Sequence, residues 1–151
     1  MVKFPDLPIY QGFNAPSRVE ADIYDLEVDG EIPKEINGVF YHVRPDPQYP
    51  PKMGDDIYFN GDGMVSMFYF ENGHVDFKCR YVRTDKFVLE RKARRALFGY
   101  YRNPYFDDPS VKGVPRGTAN THVVYHAGKL FALKEDSPPV AMDPLTLETF
   151  G

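Results

Sequence analysis

"FNGDGMVSMFYFENGHVDFKCRYVRTDKF", residues 59–87, wedges Gly61, Gly63 and Gly73 between aromatic runs. A phosphate cradle, a calcium loop and plain turn chemistry each use glycines this way. A phosphate cradle needs a helix directly after it, for amide donors and a dipole. "MVSMFYF" (Met64 to Phe70) reads instead as a strand. The EF-hand spacing of acidic residues and its closing glutamate are missing, which removes calcium. Turns remain. In "HVDFKCRYV", Val75, Phe77, Cys79 and Tyr81 share one face of a second strand, and His74, Asp76, Lys78 and Arg80 share the other. Glu71-Asn72-Gly73 lies between the strands, and Asn-Gly is the strongest short hairpin signal.

The last third repeats this logic. "THVVYH" and "LFALKE" are strands around Ala127-Gly128-Lys129, and "PPVAM" is another. "DPLTLETFG" turns through Asp143-Pro144 into the start of a fourth. A short helix is expected over Phe87–Phe98, with Leu89, Ala93 and Leu97 at four-residue spacing and Gly99 as its stop. "ERKARR" (Glu90 to Arg95) is read as a solvated helix face. The loop "YYRNPYFDDPSVKGVPRGTANT" carries four aromatics, and loops of this length in compact domains are functional or disordered. The first ~50 residues look irregular because prolines interrupt them, apart from a strand-like island at Val39–Val43 after Asn37-Gly38. Four short antiparallel strands in a meander describe one propeller blade, and propellers close with about 4–8 blades. The fold class is therefore all-β, a partial β-propeller with a short helix and long loops. The chain reads as incomplete at its C-terminus, because it stops where a strand begins.

Composition excludes several functions. A chain of 151 residues is one domain or a piece of one, and 42% hydrophobic with 15% aromatic residues supplies a core that a disordered chain lacks. A formal charge of −4 without a basic cluster argues against nucleic acid as a partner. Cys79 is the lone cysteine, so no disulfide framework exists, and its place in an alternating strand reads as packing. The start "MVKFPDLPIYQGF" interrupts the apolar run that a signal peptide needs, and no apolar stretch approaches the ~20 residues of a membrane span. A soluble cytoplasmic protein is the expectation.

Candidate chemistry is sparse. His42, His74, His122 and His126 are the histidines, and "HVVYH" mimics a metal pair. On a strand, four residues separate the rings by roughly 13 Å, so one metal cannot hold both. No nucleophile elbow, paired-cysteine site or nucleotide loop is present. Lys134 and Glu135, in "LKED", end an apolar strand, and on spacing alone they read as an exposed lysine and an exposed glutamate. The residues by themselves yield no reaction.

A resemblance does. "NGVFYHVRPDPQYPP", "DDIYFNGDGMVSMFYFENGHVDFKCRYVRTDKF", "RKARRALFGYYRNPYFDD" and "RGTANTHVVYHAGKLFALKEDSPPVAMDPLTLETFG" together resemble the N-terminal part of the carotenoid cleavage dioxygenases. "FYHVRPDPQYPP" departs from the arginine-asparagine-glycine-proline pattern of the carotenoid-cleaving members, toward the lignostilbene dioxygenase branch. The resemblance implies a seven-bladed propeller carrying a nonheme Fe(II) held by four histidines, with residues 1–151 as the N-terminal part of that single domain. The enzyme would add O₂ across the central C=C bond of a phenolic stilbene and release two phenolic aldehydes, such as vanillin. It also implies that the iron ligands lie beyond residue 151, that none is in this chain, and that His122 stands where relatives often carry asparagine. Homodimer formation by the complete protein stays open.

Four residues match the family's site. Glu135 matches a glutamate that orients an iron-bound histidine. Lys134 matches the lysine that meets the substrate's phenol oxygen, Tyr101 in "GYYRNP" its hydroxyl partner, and Phe59 in "IYFNGDG" the aromatic that packs on the substrate ring. The glycine turns would then position Phe59. Lys134 and Glu135 are neighbours and should face opposite ways on an ideal strand, so a bend or bulge is required there. Lys134 and Tyr101 suit a phenol better than a polyene, which ranks carotenoid or apocarotenoid cleavage second. A truncated, non-catalytic chain that binds no iron is the other alternative.

Overall fold

The structure is a computed structural model, and it describes residues 3–150. Among them run strands β1 (Ala21–Ile23), β2 (Gly38–Pro45), β3 (Gly63–Glu71) and β4 (His74–Tyr81), then helix α1 (Asp85–Ala93). Strands β5 (His122–His126), β6 (Lys129–Lys134) and β7 (Ser137–Met142) follow. They form two antiparallel sheets, ordered β1-β4-β3-β2 and β5-β6-β7.

The β3–β4 hairpin forms as the alternation predicts. Glu71 pairs with His74 across Asn72 (φ 52°) and Gly73 (φ 87°). Two central residues at positive φ make the turn whose twist matches the strands. Val65 and Met67 of β3 point into a core shared with the second sheet, against Leu130, Ala132 and Met142. On the other face Met64 joins Cys79, Tyr81 and Phe87 of α1. Cys79 is buried, its thiol donates to the Val19 carbonyl at 3.3 Å, and burial raises its pKa. It is a packing residue, as its place in the strand suggests.

Three expectations change. The first fifty residues hold two strands. Gly38–Pro45 pairs with β3 along its whole length, and β1 adds to the far edge of β4, with Ala21 opposite Cys79. The first sheet is therefore not a simple meander. A three-residue strand has no alternation to read and exists because an edge is there to accept it. The helix starts and stops early. The Thr84 hydroxyl caps it by accepting from the Phe87 N–H, and Arg94 ends it in the left-handed conformation (φ 55°). Leu97 lies beyond that end, clustered with Phe98 and Val111, so its spacing from Leu89 and Ala93 is coincidental. Within "ERKARR", residues 91–95 are exposed, but Glu90 is buried and accepts the Leu97 and Phe98 N–H groups at 2.8 and 3.2 Å.

The glycines divide by task. Gly73 serves a turn, whereas Gly61 has an ordinary φ of −66°. Gly63 serves a close approach. Its N–H donates to the Thr118 carbonyl at 2.8 Å, and a Cβ there would stand 2.3 Å from the Ala119 oxygen. That contact brings the start of β3 onto the segment leading into β5.

Candidate functional site

Three distant segments meet beside this junction. The first is the 56–60 loop. Asp56 accepts the Ile57 N–H at 2.8 Å and the Tyr101 N–H at 3.2 Å, and also holds the Asn60 amide. Asn120, buried just before β5, donates to the carbonyls of Phe59 (2.8 Å) and Gly61 (2.7 Å). The loop backbone is thereby pinned while Phe59 as a residue stays 65% exposed.

The second segment carries Tyr101. Arg116 donates to the carbonyls of Tyr100 (2.6 Å) and Gly99 (2.8 Å), so the long 100–121 connection is tied down at both ends. The Tyr101 hydroxyl donates to Asp136 Oδ2 at 2.6 Å. That hydrogen bond, reinforced by the Asp136 and Glu135 charges and opposed by Arg102, holds the Tyr101 pKa above the ordinary tyrosine value.

The third segment is the end of β6. Ala132 pairs with Val140 but Lys134 pairs with Ser137, a one-residue shift in register. The irregularity that the adjacent Lys134 and Glu135 call for is there. Lys134 is buried, against its reading as an exposed lysine from spacing alone, and Glu135 is exposed. Lys134 Nζ donates to the Phe59 carbonyl at 3.0 Å and sits 4.8 Å from the centre of the Tyr101 ring. Burial lowers the Lys134 pKa, the Asp136 and Glu135 charges oppose that, and Arg116 and Arg102 add to it. Glu135 accepts from the Thr121 hydroxyl at 3.3 Å.

Phe59, Tyr101 and Lys134 are thus one constellation, with Glu135 next to it. An ammonium with N–H groups to spare, a tyrosine oxygen and an open aromatic ring are chemically complementary to a phenol. Asp136, Asn120, Asp56 and Arg116 were missed by sequence reasoning. Asp136 was visible inside "LKED" and given no role; the others act through backbone groups distant in sequence, which no local pattern marks. The histidines stand apart from this constellation. His74 pairs with Asp25 at 2.8 Å on the surface, while His122 and His126 are exposed on β5. Among the described residues no group of three or more His, Cys, Asp or Glu could hold a metal ion, and no helix is long and apolar enough to cross a membrane.

Residues 14–151 match the family described as retinal pigment epithelial membrane protein, RPE65. The chain is 59% identical over 151 residues to lignostilbene-α,β-dioxygenase isozyme III of Sphingomonas paucimobilis, covering 100% of this chain and 31% of that protein. It is 60% identical over 148 residues to resveratrol cleavage oxygenase 1 of Aspergillus fumigatus, covering 98% of this chain and 29% of the other. The crystal structure of Pseudomonas brassicacearum lignostilbene dioxygenase superimposes with a TM-score of 0.96 at 51% identity, covering 100% of this chain and 32% of that one. The chain thus spans about a third of the length of these relatives.

Proposed function

The chain belongs to the RPE65 family of carotenoid oxygenases, and from that premise we propose that it provides the phenol-binding part of an enzyme that cleaves 4-hydroxystilbenes with O₂. The observation that carries the reading is Lys134, a buried ammonium held between the Phe59 carbonyl and the Tyr101 ring. The relatives named for lignostilbene and resveratrol cleavage support it, since both substrates are phenolic stilbenes.

In this reading the phenol oxygen accepts from Lys134 Nζ and meets Tyr101 Oη, with the Phe59 ring against the substrate's own. A free phenol ionises near pH ~10, so at neutral pH it needs help. A cation within hydrogen-bond reach favours the phenolate, whose electron density extends through the conjugated system to the alkene. The bond cut is the central C=C, and each carbon leaves as an aldehyde bearing one oxygen atom. The Fe(II) that the resemblance implies does not fit the described residues, which offer no ligand set. Glu135 is proposed to orient a histidine that carries that metal. The two sheets are proposed as blades of a seven-bladed propeller, with residues 1–151 in its N-terminal part.

The test uses the product of the reading frame that encodes this chain, carried to its stop codon. Iron content and aldehyde release from trans-4-hydroxystilbene and trans-4-methoxystilbene are measured together. Iron with aldehydes from the hydroxylated substrate alone is the expected result. Equal cleavage of the methyl ether removes the phenolate role, and a product without iron or cleavage removes catalysis.

A further inference from the structure

The direction of one proton in the site has a consequence for selectivity. A tyrosine hydroxyl has a single hydrogen and two lone pairs. In Tyr101 that hydrogen is spent on Asp136, at 2.6 Å. Charge-assisted O–H···O⁻ bonds of ~2.5–2.7 Å are among the strong ones, so a neutral ether oxygen cannot draw the proton away. Asp136 is exposed, in the turn after β6, and its role in the fold is small. The charged groups around Tyr101 are Asp136 and Glu135 from that turn, Arg102 from its own segment, Lys134 over its ring and Asp56 at its N–H.

We propose that Asp136 is a specificity-determining residue: by taking the only proton of Tyr101 it leaves a lone pair for the substrate, so that the site accepts a free phenol as a hydrogen-bond donor and rejects its methyl ether. This rests on the phenol-site reading. A bound phenol then accepts from Lys134 Nζ and donates to Tyr101 Oη. On ionisation the phenol O–H breaks and its proton joins Tyr101 Oη. The original Tyr101 proton passes to Asp136 Oδ2, which is open to water. The phenolate is left facing donors on both sides.

Binding in the absence of O₂ tests this with trans-4-hydroxystilbene and trans-4-methoxystilbene as probes, using the same reading-frame product. Asp136→Ala frees the Tyr101 proton and should tighten the ether by about tenfold, the weight of one hydrogen bond. Asp136→Asn keeps only a neutral acceptor for that proton, so it should tighten the ether by less than Asp136→Ala does; it also controls for folding. Tyr101→Phe should weaken the phenol instead. An ether no tighter in Asp136→Ala overturns the proposal, while a phenol unaffected by Tyr101→Phe overturns the underlying phenol site as well. Titration of ¹³Cζ-labelled tyrosine in the substrate-free protein gives an independent readout. The Tyr101 pKa should fall back toward the ordinary tyrosine value in Asp136→Ala, and no change would also overturn the proposal.

Discussion

Lys86→Met should destabilise the protein more than any change at the surface. Lys86 Nζ lies 2.9 Å from Asp62 Oδ1 and 2.9 Å from Glu90 Oε2, and all three side chains are buried. Asp62 also accepts the Gln48 N–H at 3.0 Å, and Glu90 the N–H groups of Leu97 and Phe98. Burial alone would lower the Lys86 pKa; the Asp62 and Glu90 charges more than reverse that and hold it above the ordinary lysine range. Its stabilising contribution is therefore complete below that range and is lost only as strong alkali takes the proton. Methionine keeps the volume and removes the charge, which leaves two buried carboxylates facing each other. Two unit charges at ~4 Å repel by roughly 4 kcal/mol at an effective dielectric of ~20. Breaking a buried ion pair from one side costs about 3–5 kcal/mol. For a chain of this size that lowers Tm by on the order of 10 °C. Acid should rescue the variant. Unpaired carboxylates hold protons more tightly folded than unfolded, so the variant's stability rises as pH falls. Thermal unfolding followed by circular dichroism at pH 7 and pH 5 measures both effects. A loss under ~1 kcal/mol at pH 7, or one equal at both pH values, would refute the reasoning. Neutralising the partners as well, in Lys86→Met/Asp62→Asn/Glu90→Gln, should restore most of the loss.

Gly63→Ala should cost about 1–3 kcal/mol or more through overpacking, because its Cβ would meet the Ala119 and Thr118 oxygens at 2.3 and 2.6 Å. An unchanged urea midpoint would show that the junction can give way. On the proposed phenol-site reading, Lys134→Met in the full reading-frame product should lower aldehyde release about 10²-fold while iron content and Tm hold, and unchanged turnover would remove Lys134 from the site. In the wild type, activity should fall on the alkaline side below the ordinary lysine range, because burial lowers the Lys134 pKa. Asp136→Asn should move that limb lower still, since the Asp136 charge helps to keep the proton on Lys134.

What was legible in the chain follows the range of the interaction involved. The β3–β4 hairpin could be read because period-two burial and an Asn-Gly turn act between neighbours. β1 could not, since its three residues are a strand only by pairing with Cys79, Lys78 and Phe77. Leu97 misled because a residue buried by its own cluster looks the same in sequence as one on a helix face. Gly63 was assigned to a turn because its real constraint, the Thr118 and Ala119 carbonyls, lies more than fifty residues away.

The candidate site is a stronger case of the same rule. It joins the 56–60 loop, Tyr101 and the end of β6 largely through side-chain bonds to backbone groups, and such bonds leave no spacing to detect. One constraint was nonetheless deducible without any contact in view. Alternation places neighbouring strand residues on opposite faces, so a bend or bulge was expected at Lys134 and Glu135; a register shift lies between Ala132 and Lys134, with Lys134 buried and Glu135 exposed beyond it. Asp136 escaped the same logic because nothing local fixes its acceptor role. That role exists only once Tyr101, 35 residues earlier, delivers its proton to it. Resemblance to relatives proposes the residues that meet a ligand; the groups that set those residues' protonation and direction come from the three-dimensional contacts.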